Sequence, residues 1–257
     1  KCSDYIQFRA GQFKMPYELD ELTSHEDLRM IDRGTTSALF VSNSLSSYQP
    51  GAMLFGTFMK EKMPLNYYLA IANGSNRAVT NDDNSQKNLV GRLEFSPVKA
   101  IRIGANAQNI YVKDTSGVSY GVDLSVQQKI GTKSKLIVEG EYIQGVNSTS
   151  FIADTNGLLI EDFNMTGYFA QALLKVDINK SWCKTLEFGG KFENTDPNTS
   201  KDENDYTTIT GNIGFTFLPE NTARLQLNVI NTNWASAISP GGITSANMFV
   251  AQFQLKI

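Results

Sequence analysis

One histidine and two cysteines stand among 257 residues, so catalysis and metal binding lack most of their usual carriers. Cys2 and Cys183 can form at most one disulfide and lack metal-ligand spacing, and both are expected to be free. Lys1 ahead of Cys2 argues against a lipid anchor there. Neither sign of charge dominates: 23 Lys and Arg against 26 Asp and Glu leave a formal net charge of −3, and no basic face announces a nucleic acid. Long apolar runs are missing too, and none approaches the ~18–20 residues of a spanning helix. That excludes a helical membrane protein but leaves a β-barrel open, because barrel strands are apolar on one face only. No leader peptide opens the chain, which says nothing about secretion because a secreted protein has already lost it. Phosphate-cradling glycine loops and paired-carboxylate helices are absent. The expectation is no enzyme, no metal and no cofactor.

Two-residue periodicity is what the chain has in quantity. In "MFVAQFQLKI", Phe249, Ala251, Phe253, Leu255 and Ile257 interleave with Val250, Gln252, Gln254 and Lys256. The pattern recurs over Val118–Gln127, Lys135–Tyr142, Tyr168–Ile178, Leu186–Glu193, Thr208–Phe217 and Ala223–Val229. Earlier runs are Ile6–Ala10, Ala52–Met59, Leu65–Ile71, Leu89–Phe95 and Ile101–Ala107, which brings the candidate strands to twelve. With their flanks the candidate strands reach roughly 8–14 residues, near or above the ~9–11 that a tilted strand needs to cross a bilayer. The connections alternate in length. Short turns are expected at Glu61–Pro64, Pro97–Lys99, Gly131–Ser134, Asn179–Lys184 and Pro219–Asn221. Longer stretches lie at Met15–Gly51, Gly74–Gln86, Lys113–Gly117, Asn147–Asn164, Thr195–Asn204 and Trp234–Ile243. Up-and-down outer-membrane barrels show this asymmetry, whereas a sandwich has no reason to keep it.

A soluble sandwich also alternates apolar and polar residues, so the cover of the apolar face decides the class. Two features favour lipid. Tyr5, Tyr67, Tyr142, Tyr168, Trp182 and Phe217 sit near strand ends, where an interfacial girdle would lie. Small residues such as Gly91, Ala105, Gly140, Gly190 and Gly211 recur on the apolar faces, where a packed core would want bulk. The reading is an all-β, transmembrane up-and-down antiparallel barrel, one domain over residues 1–257, with loop 15–51 folded into the lumen. Projected inward, Arg9, Arg92, Arg102, Lys129, Lys175, Lys191, Arg224 and Lys256 face Glu94, Asp123, Glu139, Glu141, Asp177, Glu187 and Glu193. The signs nearly cancel, and such a mixed lumen discriminates weakly between ions. The constriction candidates are Arg9, Lys14, Arg33, Arg92, Arg102, Glu94 and Arg224. Ala38–Tyr48 would add a strand or a plug segment.

The stretch Arg9-Ala10-Gly11-Gln12-Phe13-Lys14-Met15-Pro16-Tyr17-Glu18, followed by Leu22-Thr23-Ser24 and Met30-Ile31-Asp32-Arg33, resembles the phosphate- and pyrophosphate-selective porins of Gram-negative outer membranes. "LVGRLEFSP" at Leu89–Pro97 and the following "IRIGANAQ" are similar in style. The resemblance implies a bacterial outer-membrane location, contact with outer-membrane lipid, passage of small hydrophilic solutes with phosphate-like anions first, and a homotrimer. Family barrels have some sixteen strands, with more sequence ahead of the GQFK-like strand. The resemblance therefore implies either a partial member or closure with twelve strands.

Rival readings remain. A barrel plugged by its own loops would act as a scaffold subunit of an outer-membrane complex. A hydrolase would use His25, in Ser24-His25-Glu26, although triads are assembled in space rather than along the chain. A secreted glycan-binding sandwich would stay in solution without detergent. The polar loops Thr80–Gln86 and Asn194–Asp205 collect oxygen ligands suited to hard cations but keep no calcium-loop spacing.

Overall fold

The computed structural model describes residues 3–75, 86–218, 222–238 and 240–256. Twelve strands run β1 Gln7–Lys14, β2 Tyr48–Phe58, β3 Leu65–Ala72, β4 Asn88–Val98, β5 Ile101–Val112, β6 Thr115–Ile130, β7 Ser134–Val146, β8 Asn164–Asp177, β9 Thr185–Asp196, β10 Tyr206–Leu218, β11 Ala223–Trp234 and β12 Ser245–Leu255. They form one sheet in chain order, and every pairing is antiparallel. Each strand in the alternating sequence is therefore hydrogen-bonded to its chain neighbours, as an up-and-down meander requires. β1 and β12 share no ladder among the described residues, so the sheet is not closed.

Burial runs inside out relative to a soluble protein. On β6, Ser119, Asp123 and Ser125 are buried, while Val118, Tyr120, Val122 and Leu124 are 43–61% exposed. On β9, Glu187, Lys191 and Glu193 are buried, while Phe188 and Phe192 are exposed. Among the described residues no second layer covers these oily faces, and leaving so much apolar surface in water is unfavourable. The outward glycines fit the same account. A side chain at Gly211 would meet nothing within 4 Å, and one at Gly91 only Leu69 at 3.7 Å. Aromatics group on this outward side, with Phe58 beside Tyr5 and Tyr67, Tyr168 beside Phe192, and Phe217 beside Phe253.

One connection differs from the length pattern read in the sequence, and another falls where that reading placed it. β5 and β6 stay paired to Val112↔Thr115, so only Lys113 and Asp114 join them. Ile110 and Val112 are still buried there, beside Ile160, which rewards extending the hairpin. Lys113 takes the left-handed φ of 54° that such a tight turn demands. Conversely, the turn between β8 and β9 spans residues 178–184, with the Cys183 thiol buried and donating to the Thr216 carbonyl. Cys2, the 219–221 turn and most of Thr80–Gln86 lie outside the described residues.

The segment between β1 and β2, residues 15–47, folds against the polar face of the sheet. It carries α1 (Leu19–Leu22), a 3-10 turn at His25–Asp27 and α2 (Thr35–Ser42). Tyr17 Oη donates to the Gln144 carbonyl at 2.9 Å, near the end of β7 where the long connections lie. The chain then descends. Leu19 N donates to Glu141 at 2.7 Å, Arg29 pairs with Glu139, and Arg224, next to the short turn before β11, donates to the Leu28 carbonyl at 3.0 Å. It climbs back through Ile31 N to Asn228 and Thr36 to Thr195, and reaches Asn43, which accepts from Thr149 N. A single short segment can touch β5 (Gln108 to the Leu45 carbonyl) and β11 at once only if the sheet curves around it. Ala38–Val41 therefore lies in a helix of this segment and not in a strand. Tyr17, Phe40 and Leu45 build a small apolar cluster with Phe13, Met53, Ile143 and Met165 on the inner side.

Candidate functional site

A cavity of about 590 Å³ lies between this inserted segment and the inner face of β1–β5. Its lining includes Arg9, Gln12 and Lys14 from β1, Tyr48 and Met53 from β2, Tyr68 from β3, Arg92 and Glu94 from β4, and Arg102 from β5. Alternation explains why they converge: Arg9, Met53, Tyr68, Arg92, Glu94 and Arg102 all occupy inward positions on their strands. Cross-strand register aligns Phe55, Tyr68 and Arg92 in one row. A second cavity of about 810 Å³ adjoins it and shares Lys14, Leu22 and Tyr48; Glu21, His25, Glu26 and Arg33 also line it.

The charges in the first cavity are unequally matched. Four basic side chains and one carboxylate line it. Arg92 is buried and held between Glu94 at 3.0 Å and Asp123 at 2.7 Å. Asp123 reaches it from β6 across β5, where the intervening residue is Gly104. A Cβ at Gly104 would sit 2.3 Å from the Asp123 carboxylate and 2.5 Å from Arg92, so only glycine leaves room for the bridge. Arg102 lies 4.0 Å from Glu94, whose oxygens already serve Arg92, Asn66 and Tyr68. Arg9 stacks over Phe55 at 5.2 Å and has no carboxylate partner among the described residues. Two guanidinium groups thus keep donor capacity facing the cavity.

Elsewhere on the inner face the cations that meet the inserted segment are neutralised. Lys191 lies 2.7 Å from Asp20 and 3.4 Å from Glu193, Arg29 lies 2.8 Å from Glu139, and Arg224 pairs with Glu187, which also holds Lys175 at 2.8 Å. Gly34 N donates to the same Asp20 carboxylate, and a Cβ at Gly34 would fall 1.6 Å from Glu193 Oε1. Beside this ionic seat, Glu18 is fully buried with a left-handed φ of 70°. Burial pushes its carboxyl up to about 8, opposed by the Ser37 and Ser46 hydroxyls and reinforced by Asp20 and Glu21. Burial likewise raises the Tyr17 phenol well above its ordinary range, with Glu141 and Glu18 adding to it.

Of the seven constriction candidates, the structure brings Arg9, Lys14, Arg92, Glu94 and Arg102 together in one cavity. Arg33 stands in the adjoining one, 2.8 Å from Glu21 and 2.8 Å from the Thr23 carbonyl. Arg224 is on the opposite wall, inside the ionic seat. His25 shares its Nε2 with Arg33 at 2.9 Å. Asn194–Asp205 spends its polar groups on itself, for example Asn194 to Asp205 and Asn204 to the Asn198 carbonyl. No group of three or more His, Cys, Asp or Glu that could hold a metal occurs among the described residues. Sequence reasoning missed Tyr48, Tyr68 and Phe55 as neighbours of the basic cluster. For Phe55 and Tyr68 their shared inward parity with Arg92 was the available signal, whereas Tyr48 has the opposite parity on β2.

Residues 1–151, more than half of the 257, match the family model described as phosphate-selective porin O and P. No curated protein matches the chain. The chain belongs to the phosphate-selective porin O and P family.

Proposed function

We propose that this phosphate-selective porin O and P family member is an outer-membrane channel through which small hydrophilic solutes diffuse passively, with anions favoured. The observation that carries the reading is the cavity beside β1–β5, where Arg9 has no carboxylate and Arg102 has only a shared, distant one. A dissolved anion approaching these groups replaces part of its hydration with charge-assisted hydrogen bonds. It leaves again because no group there encloses it fully. Nothing is chemically transformed, and the solute's own gradient drives transport.

Within this reading Arg9, Lys14, Arg92, Arg102 and Glu94 form the narrow part of the path, and Arg33 lines its continuation. Arg224 acts as an anchor for the inserted segment, which sets the width of the path. The exposed apolar faces meet lipid. A homotrimer, implied by the family, fits an apolar groove on the outward side lined by Ala52, Leu69, Leu89 and Gly91. Its test is the mass of the detergent-solubilised particle.

Purified protein in planar bilayers under a KCl gradient is expected to conduct with a reversal potential on the anion side. Insertion without conductance would favour the loop-plugged scaffold, a reading supported by the tight ionic seat of residues 15–47. Recovery in the aqueous fraction without detergent would remove both membrane readings.

A further inference from the structure

Inorganic phosphate uses only part of what the Arg9–Arg102 cavity offers. Six of its twelve lining residues are polar or charged, and the other six are Phe13, Pro16, Leu22, Tyr48, Met53 and Tyr68. Phe13, Pro16, Leu22 and Met53 offer nothing to hydrogen-bond, a cost to a small, strongly hydrated anion that must shed water against them. The cations are themselves placed on rings: Arg9 over Phe55 at 5.2 Å and Lys14 Nζ over Tyr48 at 5.7 Å. Phe55 and Tyr68 lie nearly parallel, 8° apart with centroids 6.3 Å apart. The register that pairs Phe55 with Tyr68 and Tyr68 with Arg92 makes this a continuous row of planar groups ending on a guanidinium. A cavity of about 590 Å³ falls within the ~300–1,000 Å³ of sites that enclose organic ligands, which are mostly apolar with a few placed polar groups.

Resting on the porin reading above, we propose that this cavity is a subsite for phosphate monoesters carrying a planar ring, selected over inorganic phosphate and over aliphatic monoesters. The phosphate head sits on Arg9 and Arg102, whose donors are not consumed by carboxylates. The ring lies against the Tyr48 and Tyr68 side, extending the existing stack. Arg92 is buried and tied to Glu94 and Asp123, so it contributes field but few hydrogen bonds. Glu94 lies 4.0 Å from Arg102 and 3.5 Å from Tyr68 Oη, so it limits the negative charge the cavity accepts and disfavours a bis-phosphate.

The test compares phenyl phosphate, methyl phosphate and inorganic phosphate on the full chain in planar bilayers, each titrated against the KCl current at about pH 8.5, where all three headgroups are close to fully ionised. Phenyl phosphate is expected to reduce the current at about tenfold lower concentration than methyl phosphate, the lower range of what ring-on-ring stacking supplies. In Tyr68→Leu and Tyr48→Leu the ratio of the two is expected to fall to near one, a comparison internal to each variant that does not depend on its conductance. Equal potency of the two esters in the unaltered chain overturns the proposal while leaving the porin reading intact. A preference that survives both substitutions overturns it as well. If the pore is electrically silent, calorimetry of phenyl against methyl phosphate on detergent-solubilised protein decides the subsite separately, with equal affinities counting against it.

Discussion

The two halves of the inner face use the same residue types to opposite ends. Along β6–β11, each cation that touches the inserted segment has a carboxylate within about 3 Å, and the segment's backbone amides are taken up by Glu141 and Asn228. Along β1–β5, Arg9 has no such partner and Arg102 has one at 4.0 Å that is already occupied. Arg9 and Arg224 are indistinguishable by position in an alternating strand. What separates them is that Glu187 of β9 stands beside Arg224, while no carboxylate among the described residues stands beside Arg9. A buried guanidinium with its carboxylate holds a structure in place, and one left without is free to meet a solute.

This contrast can be broken from the filled side first. Lys191→Ala leaves Asp20 and Glu193 buried together with no cation, a loss of about 3–5 kcal/mol. The segment is expected to release, and trypsin should then cut at Arg29 and Arg33. A pH scan acts on the same seat more gradually. With the Glu18 carboxyl raised to about 8 from an ordinary 4.5, the seated segment holds a proton that the released one has lost. Seating is therefore strongest below about pH 4.5, weakens by at most about 1.4 kcal/mol per pH unit up to about 8, and is level above that. Glu18→Gln should flatten the proteolysis profile, and an unchanged slope would remove Glu18 as its source. On the open side, Arg9→Gln should cost about 1.5–3 kcal/mol of anion affinity and move the reversal potential toward zero without altering trypsin cleavage. Arg224→Gln should do the reverse, and equal shifts from both would erase the distinction. The smallest effect is steric. Gly34→Ala forces a Cβ against the Glu193 carboxylate at about 1–3 kcal/mol, whereas Gly211→Ala on the outward face should stay within about 0.5 kcal/mol. Thermal gel-shift midpoints of the two variants check the pair.

Strand number, order and facing were readable in the sequence because a period of two is a local property, and Val118 to Gln127 declares its two faces without help from the rest of the chain. The β5–β6 turn was less readable. Its length depends on cover that Ile160 supplies from a different connection. Which arginines remain unpaired was not readable at all, since Asp20 meets Lys191 across 171 positions and Arg29 meets Glu139 across 110. The aromatic neighbours Phe55 and Tyr68 lay between the two cases. Their parity was visible, but their register with Arg92 required the ladders.

The inserted segment also carries a statement about time. Its anchors Leu28 and Ile31 precede their partners Arg224 and Asn228 by 196 and 197 positions. Contacts that distant close late, because the intervening chain must first be ordered. Seating therefore waits for β11, and each maturing copy passes through a stage in which the wall stands and its interior is bare. Pulse-labelled protein should acquire its folded gel mobility before its Arg29 becomes protected from trypsin.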